Sequence, residues 1–377
     1  MKSKKSGIYV CHTFYHVYIA CLKELALKDF REKKGKAYRK ATILLSTMSN
    51  DFGDLKDRLM ASGLFEDVIM FEEKREDFFP ELAQYRVDRG STWKNLLQRM
   101  KFTKRYAELE APYVPVNFRD YELVQVFCDS DPIGYYLNQN RIHYLALEDG
   151  LNCLVHFDAA RYDNRGHFGL KAFMSKRLNL IFVQNGYGKY CLGMEVNDIK
   201  AISMPCPYYV ELPRKNLVDR LTARDKELLL QIFVKNLDAL KQVVGQKQED
   251  KKSILILTDP VCELDVREQI FKDIVAEYSK KGDIIIKPHP RDALDYRKVF
   301  PEYPIIDPSV PMEMLNFLEE GKFDMVVTVF TDLKGADFAE EKVRLGDTFM
   351  DQYEDPTKHN QNISIGITPI EPDDEMK

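Results

Sequence analysis

The sequence has no apolar run long enough to cross a bilayer and no cysteine pattern typical of a metal site or a disulfide framework. Its seven cysteines are scattered, and none forms a CxxC pair. A spanning helix would need roughly 20 apolar residues. The first apolar stretch is interrupted by His12, Tyr15 and His16, which predicts a first strand and not a secretory signal. We therefore expect a cytoplasmic protein.

A strong excess of charge of either sign is also missing. The formal net charge is −5 over 377 residues, which argues against broad binding of nucleic acid. There is one tryptophan, Trp93, but 22 phenylalanines and 20 tyrosines supply material for a core. Since a single core usually stops growing at about 250–300 residues, a chain of this length is expected to form two domains.

Strand-like and helix-like segments alternate in both halves of the chain. Strands are predicted at 8–11, 41–46, 65–71, 123–127 and 143–147, and again at 253–257, 283–286 and 326–329. Helices are predicted at 14–28, at 55–64 and from Ile133. Alternation of this kind predicts the α/β class, with a doubly wound parallel sheet in each half.

The domain boundaries follow from shifts in composition. We expect a first domain at 1–205 and a second at 253–350. The stretch 206–252 reads as a proline-rich linker followed by one long helix from Leu221 to Val244, because its apolar residues recur at helical spacing. A polar tail is expected at 351–377.

An acidic motif follows the predicted strand at 143–147. It consists of Glu148, Asp149 and Gly150. In open α/β sheets the ligand site lies beyond the carboxyl ends of the strands, so these carboxylates are placed for chemistry. A carboxylate can accept a proton from an attacking hydroxyl group. Taken alone, the Asp-Gly pair is also a common turn.

A second motif, at 287–291, follows the predicted strand at 283–286. Here Pro288 and Pro290 flank His289 and fix the backbone direction on both sides. Lys287 and Arg291 add two cations. The motif therefore predicts a pocket for an anion, and an acid together with a histidine indicates a group-transfer enzyme.

The acidic motif and the later His-Pro motif together resemble the bacterial sialyltransferases of glycosyltransferase family 52 and the related polysialyltransferases. The similarity extends over most of the chain, through the segments 9–16, 300–304, 307–313 and 323–331 and the pair Leu345 and Gly346. The resemblance implies a GT-B type fold, in which two Rossmann-like domains face a central cleft.

The resemblance also implies a reaction. It is the inverting, metal-independent transfer of sialic acid from CMP-sialic acid to a galactosyl-type glycan of a surface polysaccharide or lipooligosaccharide. Asp149 would be the general base, with Glu148 as the alternative, and His289 would contact the nucleotide phosphate.

The family resemblance extends to further donor contacts. A pair of hydroxyl residues holds the phosphate in the family, and Thr328 and Thr331 occupy this region. Asp332 stands where the family usually has the second hydroxyl, and we expect it to cap a helix that follows. Gly150 and Thr258 complete the predicted donor contacts, although a plain turn explains Thr258 equally well.

The segment after the first strand is the predicted acceptor side. Thr13, Tyr15 and His16 could contact substrate there, and structural capping explains them equally well. His12 and His16 are four residues apart, but no third ligand has suitable spacing, so we expect no metal and no other cofactor.

Several alternatives remain open at this level. The basic amphipathic segment 93–105 is either a surface helix packed on the core or a peripheral contact with an anionic glycan or the inner membrane face. The donor could instead be CMP-Kdo, a nucleotide hexose or a polyol phosphate of capsule or teichoic-acid assembly. The third hypothesis is an inactive module that binds a glycan or a nucleotide.

Overall fold

The computed structural model describes residues 4–127, 129, 132–150, 167–202, 206, 208–245, 251–318 and 322–359. The chain divides into two compact units, Met1–Ile232 and Phe233–Lys377. Each unit is built around a parallel sheet with helices, so the predicted α/β class with two Rossmann-like domains of the GT-B type is confirmed.

The strands of the first unit all pair in parallel. They are β1 (Lys5–Cys11), β2 (Thr42–Ser46), β3 (Asp67–Phe71), β4 (Tyr121–Phe127), β5 (Tyr144–Leu147), β6 (Cys191–Val196) and β7 (Tyr209–Glu211). In the described part of this unit they form one sheet in the order β3-β2-β1-β4-β5-β6-β7. The chain reverses its direction of winding between β1 and β4, which is the switch point where such sheets bind ligands.

The helices of the first unit lie between these strands and after them. They are α1 (Phe14–Lys33), α2 (Leu55–Ser62), α3 (Thr92–Glu110), α4 (Pro132–Gln139), α5 (Phe168–Phe173), α6 (Arg214–Val218) and α7 (Ala223–Phe233). Alternate residues of β1, such as Ile8 and Val10, are fully buried in a core with Leu44 and Val126. This packing fixes the register that brings the carboxyl ends of the strands to one edge.

The second unit has the same plan. Its strands are β8 (Lys252–Leu257), β9 (Gly282–Lys287), β10 (Phe323–Thr328) and β11 (Ala339–Arg344), paired in parallel in the order β11-β10-β8-β9. Its helices are α8 (Leu237–Gly245), α9 (Leu264–Tyr278), α10 (Tyr296–Val299), α11 (Gly346–Met350) and α12 (Pro356–His359). Ile254, Ile256, Phe271 and Ile284 lie at the centre of its core.

The predicted single helix from Leu221 to Val244 is wrong. The segment forms two helices, α7 and α8, and Asn236 precedes the second. The side-chain oxygen of Asn236 accepts a hydrogen bond from Ala239 N at 2.9 Å, and its carbonyl accepts one from Leu240 N at 3.1 Å. An asparagine that accepts in this way starts a new helix, so the segment cannot be read as one continuous helix.

The stretch predicted as linker contributes to the first sheet. β7 lies inside 206–252 and pairs with β6. The division between the two units, at Ile232 and Phe233, also falls inside this stretch. Of the predicted tail, residues up to His359 are described and include α12, and the remainder lies outside the described residues.

The basic amphipathic segment 93–105 lies in α3, and core packing explains most of its apolar side chains. On α3, Phe102 and Tyr106 are buried against Phe79 and Tyr135, as the core interpretation predicts. Trp93, at the start of this helix, is exposed. None of the helices in the described ranges combines the length and the apolar character needed to cross a bilayer.

Candidate active site

The edge formed by the carboxyl ends of β1 and β5 holds a histidine–aspartate pair. Nε2 of His16 donates a hydrogen bond to Oδ1 of Asp149. Nδ1 of His16 accepts one from the backbone N–H of His12 at 3.0 Å. The ring stacks on Phe127 with centroids 4.5 Å apart and planes 9° apart. His16 is therefore held in one orientation and one tautomer, with its proton on the nitrogen that faces Asp149.

Burial keeps this imidazole neutral. The His16 side chain is fully buried, and desolvation lowers its pKa, although the nearby Asp149 carboxylate acts in the opposite direction. A protonated ring would also lose the bond that Nδ1 accepts. The pair therefore consists of a neutral donor and a carboxylate.

The two acidic residues of the motif differ in environment. The Asp149 side chain is 34% exposed, whereas Glu148 is buried. Glu148 Oε2 accepts a hydrogen bond from Asn197 N at 2.6 Å, and burial raises the pKa of this carboxyl group. Gly150 has a φ of +127°, a conformation that favours glycine. The geometry therefore assigns solvent access to Asp149, a structural position to Glu148 and the turn to Gly150.

His12 is tied to a different carboxylate. Its Nε2 lies 2.7 Å from Glu73 Oε2, which also accepts a hydrogen bond from Ser46 Oγ at 2.7 Å. The other Glu73 oxygen accepts a hydrogen bond from the backbone N–H of Ile133, the second residue of α4, at 2.9 Å. Sequence reasoning missed Glu73. The available signal was an acidic residue just after β3, at the same sheet edge.

The remaining N-terminal candidates have local roles. Thr13 caps α1, since its hydroxyl accepts from His16 N at 3.2 Å, and the capping interpretation is confirmed for it. The Tyr15 ring contacts Tyr18, with centroids 6.5 Å apart. Among the side chains that the structure describes, no group of three or more His, Cys, Asp and Glu is arranged to hold a metal ion.

In the second unit, His289 lies just beyond β9. Its backbone N–H donates to Thr258 Oγ1 at 3.0 Å, and its Nδ1 accepts from Arg291 N at 3.1 Å. The neutral ring therefore carries its proton on Nε2, where it can donate to a ligand. Burial lowers the pKa of His289, and the charge of Arg291 lowers it further.

The other members of the His-Pro motif differ in their exposure to solvent. Arg291 and Pro290 are exposed. Lys287, the last residue of β9, is buried, and desolvation lowers its pKa to about 8. The carboxylates of Glu313 and Asp307 act in the opposite direction. In its protonated form this buried lysine can pair with an incoming anion, in competition with these two carboxylates.

Thr328, the last residue of β10, and Thr331, three residues later, are hydrogen-bonded to the same carboxylate. Thr328 Oγ1 donates to Asp259 Oδ2 and Thr331 Oγ1 donates to Asp259 Oδ1, both at 2.7 Å. The backbone N–H groups of Val329 and Phe330 also donate to Asp259 Oδ2, each at 3.1 Å. The structure thus brings Thr258, through its neighbour Asp259, into the same loop cluster as Thr328 and Thr331. Sequence reasoning treated Asp259 only as part of a turn.

The helix expected after Thr331 is absent from the described residues that follow, which form turns before β11. That expectation is wrong, and so is the helix-capping role of Asp332. Its Oδ1 accepts from Lys334 N at 3.0 Å, a local turn, and the side chain is exposed.

A family model describes the same region of sequence. The model of glycosyltransferase family 52 matches residues 101–333, which include the acidic motif, the His-Pro motif and Thr331. An uncharacterised protein of Haemophilus influenzae is 30% identical over 122 residues. That alignment covers 31% of this chain and 37% of the relative, so the match spans little more than a third of the relative's length.

Solved structures share the fold. An α/β-galactoside α-2,3-sialyltransferase from Photobacterium phosphoreum superposes with a TM-score of 0.55 at 12% identity, covering 97% of this chain and 95% of that one. A 2,6-sialyltransferase from Photobacterium sp. JT-ISH-224, solved in a ternary complex with CMP and lactose, gives 0.54 at 11% identity, covering 97% and 77%. With the family match over more than half of its length, the chain belongs to glycosyltransferase family 52.

Proposed function

We propose that this glycosyltransferase is a sialyltransferase, which moves sialic acid from CMP-sialic acid to a galactosyl-type glycan of a surface polysaccharide or lipooligosaccharide. The observation that carries the proposal is the His16–Asp149 pair. It places a solvent-accessible carboxylate, with a fixed orientation, at the carboxyl edge of the first sheet. A general base must be accessible in this way to reach an acceptor hydroxyl.

In this mechanism the acceptor hydroxyl attacks the anomeric carbon of the donor in one displacement. The new bond forms from the hydroxyl oxygen while the bond to the phosphate oxygen breaks, and the electron pair leaves with CMP. Asp149 takes the hydroxyl proton. His16 holds the carboxylate in place but stays neutral, because its second nitrogen is already bonded to the backbone. A single displacement inverts the anomeric configuration.

The second unit supplies the contacts for the leaving group. Nε2 of His289 donates to the phosphate, and Lys287 and Arg291 contribute positive charge. This charge offsets the negative charge that develops on the departing CMP, as a divalent cation would in a metal-dependent transferase. We therefore propose that the reaction needs no metal and no other cofactor.

Thr258, Pro290 and the threonine pair support these contacts. Thr258 holds the backbone of His289, and Pro290 fixes the chain after it. In our proposal Thr328 and Thr331 shape the donor loop through Asp259, which holds both hydroxyls.

The choice of substrates draws on the relatives. The Photobacterium 2,6-sialyltransferase was solved with CMP as donor product and lactose as acceptor. Incubation of the protein with CMP-sialic acid and lactose in excess EDTA tests the proposal. We expect CMP release and a sialylated lactose by mass spectrometry. No product with CMP-sialic acid, together with turnover of another sugar nucleotide, would overturn it.

A second candidate is a transferase with another donor, such as CMP-Kdo, a nucleotide hexose or a polyol phosphate. The favouring observation is that Thr331 is engaged by Asp259 and is followed by Asp332 in place of a second hydroxyl. Thermal unfolding with a panel of nucleotides separates the two, because a ligand that binds only the native state raises the melting temperature. Stabilisation by UDP and not by CMP would favour the second candidate.

A further inference from the structure

Arg214, the first residue of α6, is a buried cation in the same unit as Asp149. Its side chain is 8% exposed, and Nε, Nη1 and Nη2 are each buried. Across the described residues, none of these three nitrogens has a hydrogen-bond partner. Most buried arginine nitrogens are hydrogen-bonded, so this arrangement requires an explanation.

Burial of such a group makes the folded state less stable unless hydrogen bonds replace those to water. Burying the N–H donors of a charged group without hydrogen-bond partners costs free energy, because the water that solvated them is not replaced. Proteins keep groups of this kind where a ligand or an ion completes them. The guanidinium group of Arg214 has five N–H donors in a planar fork, a shape that matches a carboxylate.

The backbone of Arg214 is fixed beside the acidic motif. Asn197 N donates to Glu148 Oε2 at 2.6 Å, and Asn197 Oδ1 accepts from Arg214 N at 2.8 Å. Asn197 thus connects the start of α6 to the residue next to Asp149, through its side-chain oxygen and its backbone N–H. Burial raises the pKa of Glu148 and lowers the pKa of His16. The positive charge of Arg214 lowers both pKa values, so the guanidinium group lies close enough to interact with both side chains.

The carboxylates around this position already have partners. Glu195 pairs with Lys23, Asp149 pairs with His16, and Glu148 accepts from Asn197. None of these three carboxylates hydrogen-bonds to the guanidinium group of Arg214, although its charge lowers the pKa of Glu148. An external carboxylate could accept hydrogen bonds from this guanidinium group.

We propose that Arg214 binds the carboxylate of a sugar-acid substrate. The inference rests on the proposed function and deepens it. A sialic acid donor carries its carboxylate on the anomeric carbon itself, so this group must lie within a few ångströms of the atom that the acceptor attacks. A cation whose backbone lies beside the acidic motif can reach that group when its side chain turns toward it, and it selects sugar acids over nucleotide hexoses, which have no carboxylate there.

Binding requires the guanidinium group to turn out of its buried position. The long arginine side chain allows this rotation, and the move gives three buried nitrogens that have no hydrogen-bond partner in the described part of the chain a charge-assisted pair of hydrogen bonds. The carboxylate can come from the donor sugar or from an acidic acceptor glycan. These two sources share their chemistry and are separated by experiment.

The test compares ligands that differ only in the sugar acid. Calorimetry gives Kd for CMP and for CMP-3-fluorosialic acid, a slowly reacting donor. For Arg214→Met we expect the Kd of the fluorinated donor to rise about 10- to 100-fold, the loss of one charged pair, while the Kd of CMP stays within about twofold. Arg220→Met, an exposed arginine after the same helix, is the matched control and is expected to change neither.

Arg214→Lys provides a second variant that keeps the charge but not the planar fork, and we expect an intermediate loss of affinity for the fluorinated donor. A merely structural role would weaken CMP and the fluorinated donor equally, which would overturn the inference. If only the KM of a sialylated acceptor rises, the carboxylate belongs to the acceptor. If the wild type binds CMP-3-fluorosialic acid no better than CMP and transfers no sialic acid, the proposed function itself fails. Wild-type sialyl transfer that Arg214→Met leaves unchanged rejects the Arg214 assignment alone.

Discussion

Nε2 of His16 donates a hydrogen bond to Oδ1 of Asp149, while Nδ1 of the same ring accepts one from the backbone of His12. Each nitrogen has a single role, so the ring cannot take up a second proton without losing a bond. The arrangement fixes the carboxylate but leaves part of its side chain exposed to solvent. This is the geometry of a positioned base.

Asp149→Asn should remove most turnover and preserve nucleotide affinity. The amide cannot accept the proton of the acceptor hydroxyl, and losses of general-base catalysis are typically about 10²- to 10⁴-fold. We propose that the leaving-group contacts lie in the second unit, so the Kd for CMP should stay within about twofold. Initial rates of CMP release and calorimetry with CMP check the two halves of this prediction.

Glu148→Gln is the control for Asp149→Asn. Glu148 is buried and accepts from Asn197 N, a bond that the glutamine oxygen can keep. We expect a smaller loss of turnover than for Asp149→Asn. If Glu148→Gln proves the more damaging change, the base has been assigned to the wrong residue.

His16→Phe should reduce kcat about tenfold or more and leave the Kd for CMP unchanged. Phenylalanine keeps the stacking on Phe127 but removes the donor to Asp149, so the carboxylate loses its fixed orientation. The Asn variant of Asp149 combined with His16→Phe should be no worse than Asp149→Asn alone, because His16 acts through Asp149. Additive losses in the double variant would contradict this role.

Affinity for CMP should fall as the pH rises through about 8. Burial lowers the pKa of Lys287 from 10.5 to about 8, and a phosphate binds its protonated form. Above this pKa the affinity should fall by up to about tenfold per pH unit. Calorimetry at several pH values measures the slope, and Lys287→Arg, which stays charged, should flatten it. An equal slope in both proteins would show that another group titrates.

The same shift has a consequence for stability. The folded-state pKa of Lys287 lies below its value in the unfolded chain, so between about pH 8 and 10.5 the unfolded chain binds more protons. The contribution of Lys287 to the free energy of unfolding should therefore rise with pH across this window and be constant below it. Urea unfolding of wild type and Lys287→Met at pH 7 and 9.5 isolates the contribution.

Thr328→Val should destabilise the second unit by about 1–3 kcal/mol, the cost of removing one donor from a buried carboxylate. Thr328 is fully buried and donates to Asp259, and valine has nearly the same shape. Thr331→Val is the matched change at a half-buried hydroxyl on the same carboxylate, where water can replace the lost donor. We expect a smaller loss for it in urea unfolding. Equal losses would contradict the account of the loop.

Much of the fold followed from local pattern, and the failures have physical causes. Buried strands such as β2 and β9 are continuous apolar runs, which the sequence displays directly. β11 (Ala339–Arg344) is a charged edge strand, and β7 has three residues, so neither carries a hydrophobic signal. The break between α7 and α8 depends on a single asparagine cap.

The site was predictable only in part for a similar reason. The acidic and His-Pro motifs can be recognised in the sequence because polar residues follow apolar strands. The contact of His16 with Asp149 joins residues 133 positions apart and depends on the strand order, which brings β1 and β5 to one edge. No pattern in the sequence pointed to Arg214, and Asp259 was interpreted only as part of a turn. The fold brings Thr328 and Thr331 to Asp259, whereas it leaves the guanidinium nitrogens of Arg214 without a hydrogen-bond partner among the described residues.

NMR of the first product formed from CMP-sialic acid and lactose would show whether the transfer proceeds by a single displacement with Asp149 as the base. The donor has the β configuration, and one displacement assisted by Asp149 must invert it. We predict that an α-linked sialoside accumulates from the first turnovers of the wild type and is nearly absent with Asp149→Asn. Retention of configuration, or an unchanged rate with Asp149→Asn, would contradict the account.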